Sequence, residues 1–120
     1  MPHFTDWNAQ AGAEVFPGDI VWSVTGDDLQ VIRAEIAPGT NFGLHRHPQE
    51  QIICIVQGLL EFTVEGETRV LGPGQVIHAP ANSEHGGRVV SDQPVVTIES
   101  FSPPRINFRD GDHMDFGKPE

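Results

Sequence analysis

Two histidines separated by one residue, His45-Arg46-His47, are the most chemically suggestive feature of this 120-residue chain. On an extended strand, side chains two apart share a face, so both imidazoles can meet one metal ion. Gln51 follows four residues later, opening the next apolar run, where its amide oxygen can reach the same point. The run over 75–79 leads through Pro80-Ala81-Asn82-Ser83-Glu84 to His85, and a tight turn there can return a third imidazole. Three imidazoles and an amide oxygen are a neutral donor set. They leave a divalent ion its full charge, which favours Lewis-acid work on a carbonyl or hydroxyl. The expectation is one divalent ion per chain (zinc, nickel, iron or manganese) on His45, His47, Gln51 and His85.

A second group lies near the end. Val95, Thr97, Glu99 and Phe101 alternate, so a carboxylate and an aromatic ring share one strand face. An ionised carboxylate turned inward is costly unless paired or used. Arg105 follows Pro103-Pro104, which stiffen the backbone that delivers it, and its fork suits bidentate binding of a carboxylate. Glu99 and Arg105 are therefore read as catalytic, the first carrying a proton and the second holding a substrate carboxylate. The competing reading is an ion pair between Glu99 and Arg105 or Arg33. His78 reads as a core or pocket-wall histidine, Trp22 as core packing with Ile20 and Val24, and Cys54 as a small buried hydrophobe. His3 and His113, in the terminal segments, read as exposed.

These groups must be positioned by strands. Apolar residues come in short alternating or continuous runs bounded by glycine and proline, with almost no helical period. The runs are 20–24, 29–37, 42–47, 51–57, 60–64, 68–71, 75–79, 86–90 and 95–101. Glu65-Gly66 is a hairpin signal between two of them. The pattern predicts one all-β domain, a sandwich or barrel, over 1–108, and a flexible acidic tail over 109–120.

Composition narrows the partners. Seven basic residues face seventeen acidic ones, a formal net charge of −10, which disfavours nucleic acid and anionic lipid and leaves a small-molecule substrate. A single cysteine excludes an internal disulfide framework and fits a reducing compartment. No run approaches the ~20 apolar residues of a membrane span, and the first residues carry no signal-peptide pattern. A cytoplasmic protein is expected.

Gly39-x5-His45-x-His47-x3-Gln51-x6-Gly58, followed by Gly74-x5-Pro80-x4-His85, resembles the two motifs of the cupin superfamily. That resemblance implies a double-stranded β-helix, a jelly-roll barrel with the metal inside, and a homodimer. The departure is Gln51, where most metal-binding cupins have glutamate. Glu50 is one residue away and so belongs to the opposite strand face. A narrower resemblance, carried by His45-x-His47-Pro48-x-Glu50-Gln51 and by Glu99-Ser100-Phe101-Ser102-Pro103-Pro104-Arg105, is to small cupins of the KdgF type. Those convert ring-closed 4,5-unsaturated monouronates to linear keto forms. The likeness implies that Gln51 is a ligand and that Glu99, Phe101 and Arg105 line the pocket. The family usually has aspartate where this chain has Glu99, and the extra methylene moves the carboxylate. The expected function is Lewis-acid isomerisation and ring opening of a small oxygenated carboxylate such as an unsaturated uronate. The alternatives are an iron-dependent dioxygenase, a polyketide cyclase and a non-catalytic ligand-binding or sensing cupin.

Overall fold

Turns cut the chain into ten strands among the described residues: β1 (Ala13–Phe16), β2 (Asp19–Thr25), β3 (Gln30–Ile36), β4 (Asn41–His45), β5 (Glu50–Gln57), β6 (Leu60–Val64), β7 (Glu67–Leu71), β8 (Val76–Ala79), β9 (His85–Val89) and β10 (Val95–Ser102). The structure, a computed structural model, describes residues 3–105. The expected tail over 109–120, the domain boundary at 108 and His113 lie outside the described residues. Among the described residues, no helix is long and apolar enough to cross a membrane.

The strands form two antiparallel sheets, of order β1-β2-β3-β10-β5-β8 and β4-β9-β6-β7. Period-two alternation puts Gln30, Ile32, Ala34 and Ile36 of β3 on the inner face, and Val95, Thr97, Glu99 and Phe101 of β10 beside them. Both sheets contribute to one core. Ile32, Ile53, Ile55 and Val95 of the larger sheet pack with Phe42, Leu60, Phe62 and Val89 of the smaller. Each such side chain stabilises the fold by roughly 1.5–3 kcal/mol on burial. Truncating Ile32, in the middle of β3, to alanine would cost about 2–5 kcal/mol. The hairpin expected at Glu65-Gly66 joins β6 to β7, both turn residues having positive φ (48° and 81°).

Two local expectations are corrected, and one strand is added. The inner face of β2 carries Asp19 and Val21, while Ile20 is 39% exposed and Trp22 is half-buried on the outside, under the Arg33 guanidinium at 5.0 Å. Alternation shows which residues share a face, and here the bulkier set is the outer one. Cys54 is only half-buried, because in the continuous run 52–56 its neighbours Ile53 and Ile55 take the inner positions. Strand β1, too short to stand out, is added at the edge, with Val15 buried.

Candidate metal centre

Four polar side chains meet at one end of the barrel. His45 is the last residue of β4, and His47 lies beyond the strand end rather than on it, in the turn before β5. Gln51 is the second residue of β5, and His85 opens β9, paired in register with His45. A Cβ at Gly86 would come within 2.7 Å of the Gly43 carbonyl. Only glycine lets β9 approach β4 so closely, and that approach sets the His85 and His45 rings 4.5 Å apart. The nitrogens that His45, His47 and His85 can offer all lie within 4.8 Å of one another.

Hydrogen bonds fix which nitrogens those are. The Nδ1 of His45 donates to Gly43 O at 3.0 Å, that of His47 to Gln49 O at 3.0 Å, and that of His85 to Ser83 O at 2.9 Å. A carbonyl only accepts, so each Nδ1 carries the proton and each neutral ring keeps a lone pair on Nε2. The Nε2 atoms of His47 and His85 nevertheless stand 3.0 Å apart. Gln51 Oε1 adds another acceptor 3.2 Å from the His47 Nε2. Acceptors gathered without protons repel, and a cation between them resolves the arrangement. The residues fit a divalent ion with nitrogen and oxygen ligands.

The amide orientation is also fixed. Gln51 Nε2 donates to Glu99 Oε1 at 2.7 Å, which turns Oε1 toward the imidazoles. The Thr97 hydroxyl donates to Glu99 Oε2 at 2.6 Å. Burial pushes the Glu99 carboxyl up, while the bonds from Thr97 and Gln51 and the Arg105 charge pull it back. Burial, then the positive charges of Arg105, His85 and His45, lowers His47 to about 3. Burial and the charge of His45 lower His85 to about 4. Both rings therefore stay neutral, the form that ligates metal.

Phe101 is buried with its ring 6.1 Å from that of His47, and the Arg105 guanidinium stands 5.7 Å from the Phe101 ring. Arg105 is buried, and Gln30 clamps its backbone: the Arg105 N–H donates to Gln30 Oε1 at 3.0 Å, and Gln30 Nε2 donates to Arg105 O at 3.1 Å. Arg33 does not approach Glu99; it pairs with Glu35 at 3.2 Å on the outer side. His78 lies outside the core and outside the cavity at the imidazoles, being exposed and bonded to Glu50 at 2.7 Å. Sequence reasoning passed over two residues near the site. Gln30 falls within the run 29–37 with no role assigned to it. Asp19, which lines the same cavity as His45, Gln51, His85 and Glu99, falls just before the run 20–24. Its spacing of two from Val21 was the available signal.

Residues 32–101 match the model of the cupin domain family, Cupin_2. The chain is 37% identical over 91 residues to the pectin degradation protein KdgF of Dickeya dadantii, covering 74% of this chain and 78% of that protein. It is 37% identical over 78 residues to the H2HPP isomerase of Bacillus subtilis, covering 64% of this chain and 33% of that one. Among solved structures, KdgF from a Halomonas species superposes with a TM-score of 0.79 at 30% identity, over 88% of this chain and 96% of that one. The matched family, the two-sheet barrel and the histidine cluster at its end agree, and the chain belongs to the cupin family as a KdgF-like member.

Proposed function

We propose that this cupin is a metal-dependent isomerase of a small oxygenated carboxylate, with a ring-closed 4,5-unsaturated uronate as substrate. The observation that carries the reading is the convergence of nitrogens of His45, His47 and His85 within 4.8 Å of one another, with Gln51 Oε1 3.2 Å from His47 and Gln51 held in turn by Glu99. The likeness to KdgF and to an isomerase supports it.

His45, His47, Gln51 and His85 would hold one divalent ion, which supplies Lewis acidity toward a bound hydroxyl or carbonyl. Opening an unsaturated uronate ring removes the proton of the C1 hydroxyl while the C1–O5 bond breaks, with its electron pair going to O5. The resulting enolate takes a proton at C4 as the C5 ketone forms, so the product is an isomer and no further reactant is consumed. Glu99 is assigned both proton movements, accepting from the hydroxyl and returning the proton to carbon. Arg105 binds the substrate carboxylate through its guanidinium. Phe101 covers the approach between Arg105 and His47 and keeps water from it. A homodimer belongs to the same reading, because Ile52, Val56 and Val76 are 41%, 53% and 57% exposed on the outer face of β5 and β8. So does a cytoplasmic location, which suits the lone thiol of Cys54.

The test is turnover of 4,5-unsaturated galacturonate, followed by loss of the ultraviolet absorbance of its double bond. Turnover that stops on chelation and returns with added metal is expected. A protein carrying one metal per chain that leaves the uronate unchanged contradicts the assignment. Oxygen uptake by the iron-loaded protein would then move it to the dioxygenases. Conversion of a polyketone instead would make it a cyclase, and no turnover of any compound would make it a binding cupin.

A further inference from the structure

We propose that Asp19 is a specificity-determining residue, hydrogen-bonding at the inner end of the cavity a hydroxyl or similar small polar group that the bound substrate sends inward past the metal ligands. The inference rests on the reading above, in that it takes a small oxygenated molecule to be bound at the imidazole cluster. Asp19 is 4% exposed, yet its Oδ1 is buried with no hydrogen-bond partner among the described residues. Buried polar atoms are nearly always satisfied, so one facing a cavity is waiting for a partner that enters the cavity.

The cavity supplies the route. One continuous space touches His45, Gln51, His85 and Glu99 as well as Asp19, and Ile32, Ile36, Phe42 and Phe62 from both sheets wall it. Register places Asp19 at the far end from the cluster. It pairs with Ile36, which pairs with Val95 at the start of β10, whereas Gln51 pairs with Phe101 near its end. The cavity volume is about 40 Å³. One water needs roughly 10–15 Å³ by that measure, so a hydroxyl or a few waters fit and a sugar ring does not. The ring of a substrate therefore stays outside this space, at its imidazole end, and only a substituent reaches inward. Between apolar walls, Asp19 is the group that tells a hydroxyl from a methyl.

The fold holds Asp19 in place. Pro17-Gly18 turns β1 into β2 with Gly18 at φ +89°, a conformation that favours glycine, and a Cβ there would collide with Thr40 Oγ1. The Gly18 carbonyl accepts from Ala37 N–H at 2.8 Å, which ties the turn to the end of β3. Burial, reinforced by the charge of Glu99, raises the Asp19 carboxyl well above the usual carboxylate range. In its protonated form it can donate as well as accept.

The experiment compares small carboxylates with and without a terminal hydroxyl: glycolate with acetate, 3-hydroxypropionate with propionate, and 4-hydroxybutyrate with butyrate. Their binding to the zinc-loaded protein is read by calorimetry. Wild type is expected to prefer the hydroxylated member at least tenfold at one chain length. Asp19→Leu should bind both members within twofold, Asp19→Asn should keep the preference, and metal-free Asp19→Leu should melt no lower than wild type. A wild type without preference at every length, an Asp19→Leu protein that keeps the preference, or one that melts well below wild type would each overturn the proposal; the last would make the carboxyl a structural element. Hydroxyl preference without turnover of the uronate would sink the substrate assignment and leave the role of Asp19 intact.

Discussion

Glu50 and Gln51 are neighbours on β5, and each reaches a histidine, but on opposite sides of the sheet. Glu50 bonds His78 at 2.7 Å on the outer face, where both side chains are more than half exposed. Gln51 reaches His47 at 3.2 Å on the inner face, where the two residues are 6% and 7% exposed. The outer pair is solvated and contributes about 0–1 kcal/mol at most. The inner pair is enclosed, and its Nδ1 and amide hydrogens are already given to Gln49 O and Glu99. Its remaining lone pairs are aimed at a point that only a cation suits. Residue type does not separate these pairs. One residue of strand register does.

Substitutions on the two faces of the strand should therefore part widely. Glu99→Gln, which removes the carboxylate behind Gln51, is expected to lower kcat on the uronate by about a hundredfold or more with metal retained. Glu50→Gln, outside, should leave kcat within twofold; comparable losses in the two variants would erase the distinction. Arg105→Ala should raise KM by about thirtyfold, roughly 2 kcal/mol, with a smaller change in kcat. Steady-state kinetics separates the two effects, and an unchanged KM would return Arg105 to a structural role. Gln51→Glu should keep or tighten metal binding while lowering kcat several-fold, because the added negative charge makes a bound hydroxyl less acidic. A faster variant across the pH range would contradict the value placed on a neutral ligand set.

The smallest effect is on stability. In the metal-free protein, His47 at about 3 and His85 at about 4 lie below the unfolded histidine value of about 6.5. Between these limits the unfolded chain binds more protons. The contribution of the two rings is thus complete above about pH 6.5 and is lost as pH falls toward 4. Asp19 and Glu99, both raised, act with the opposite sign, their contribution being lost as pH rises through their folded values. The difference between wild type and His47→Gln isolates the imidazole part. The fall in Tm from pH 6.5 to 4 should be shallower by a few degrees in the variant, and identical slopes would contradict the direction assigned to His47.

Much of this geometry could be read from residue spacing. The pattern His45-x-His47, Gln51 and His85 pointed to one centre, although His47 reaches it from a turn rather than a strand. Alternation placed Thr97, Glu99 and Phe101 on one face of β10, and all three are buried there. Spacing says which residues share a face but not which face looks inward. In β2 the bulky Ile20, Trp22 and Val24 read as core, whereas the inner face is the less bulky one, with Asp19 bordering a cavity. His78 failed for the same reason on β8, where Ile77 and Ala79 took the interior. The bond from Gln51 to Glu99 spans 48 residues and depends on the pairing of β5 with β10, which no local pattern encodes.

The central claim is that the inner cluster holds one divalent ion and the outer Glu50–His78 pair holds none. Metal content per chain, measured on protein purified without chelator, tests it directly in wild type, His47→Ala and His78→Ala. The account predicts about one equivalent in wild type and in His78→Ala, and far less in His47→Ala. A wild type with far below one equivalent, or equal occupancy in the two variants, would contradict it.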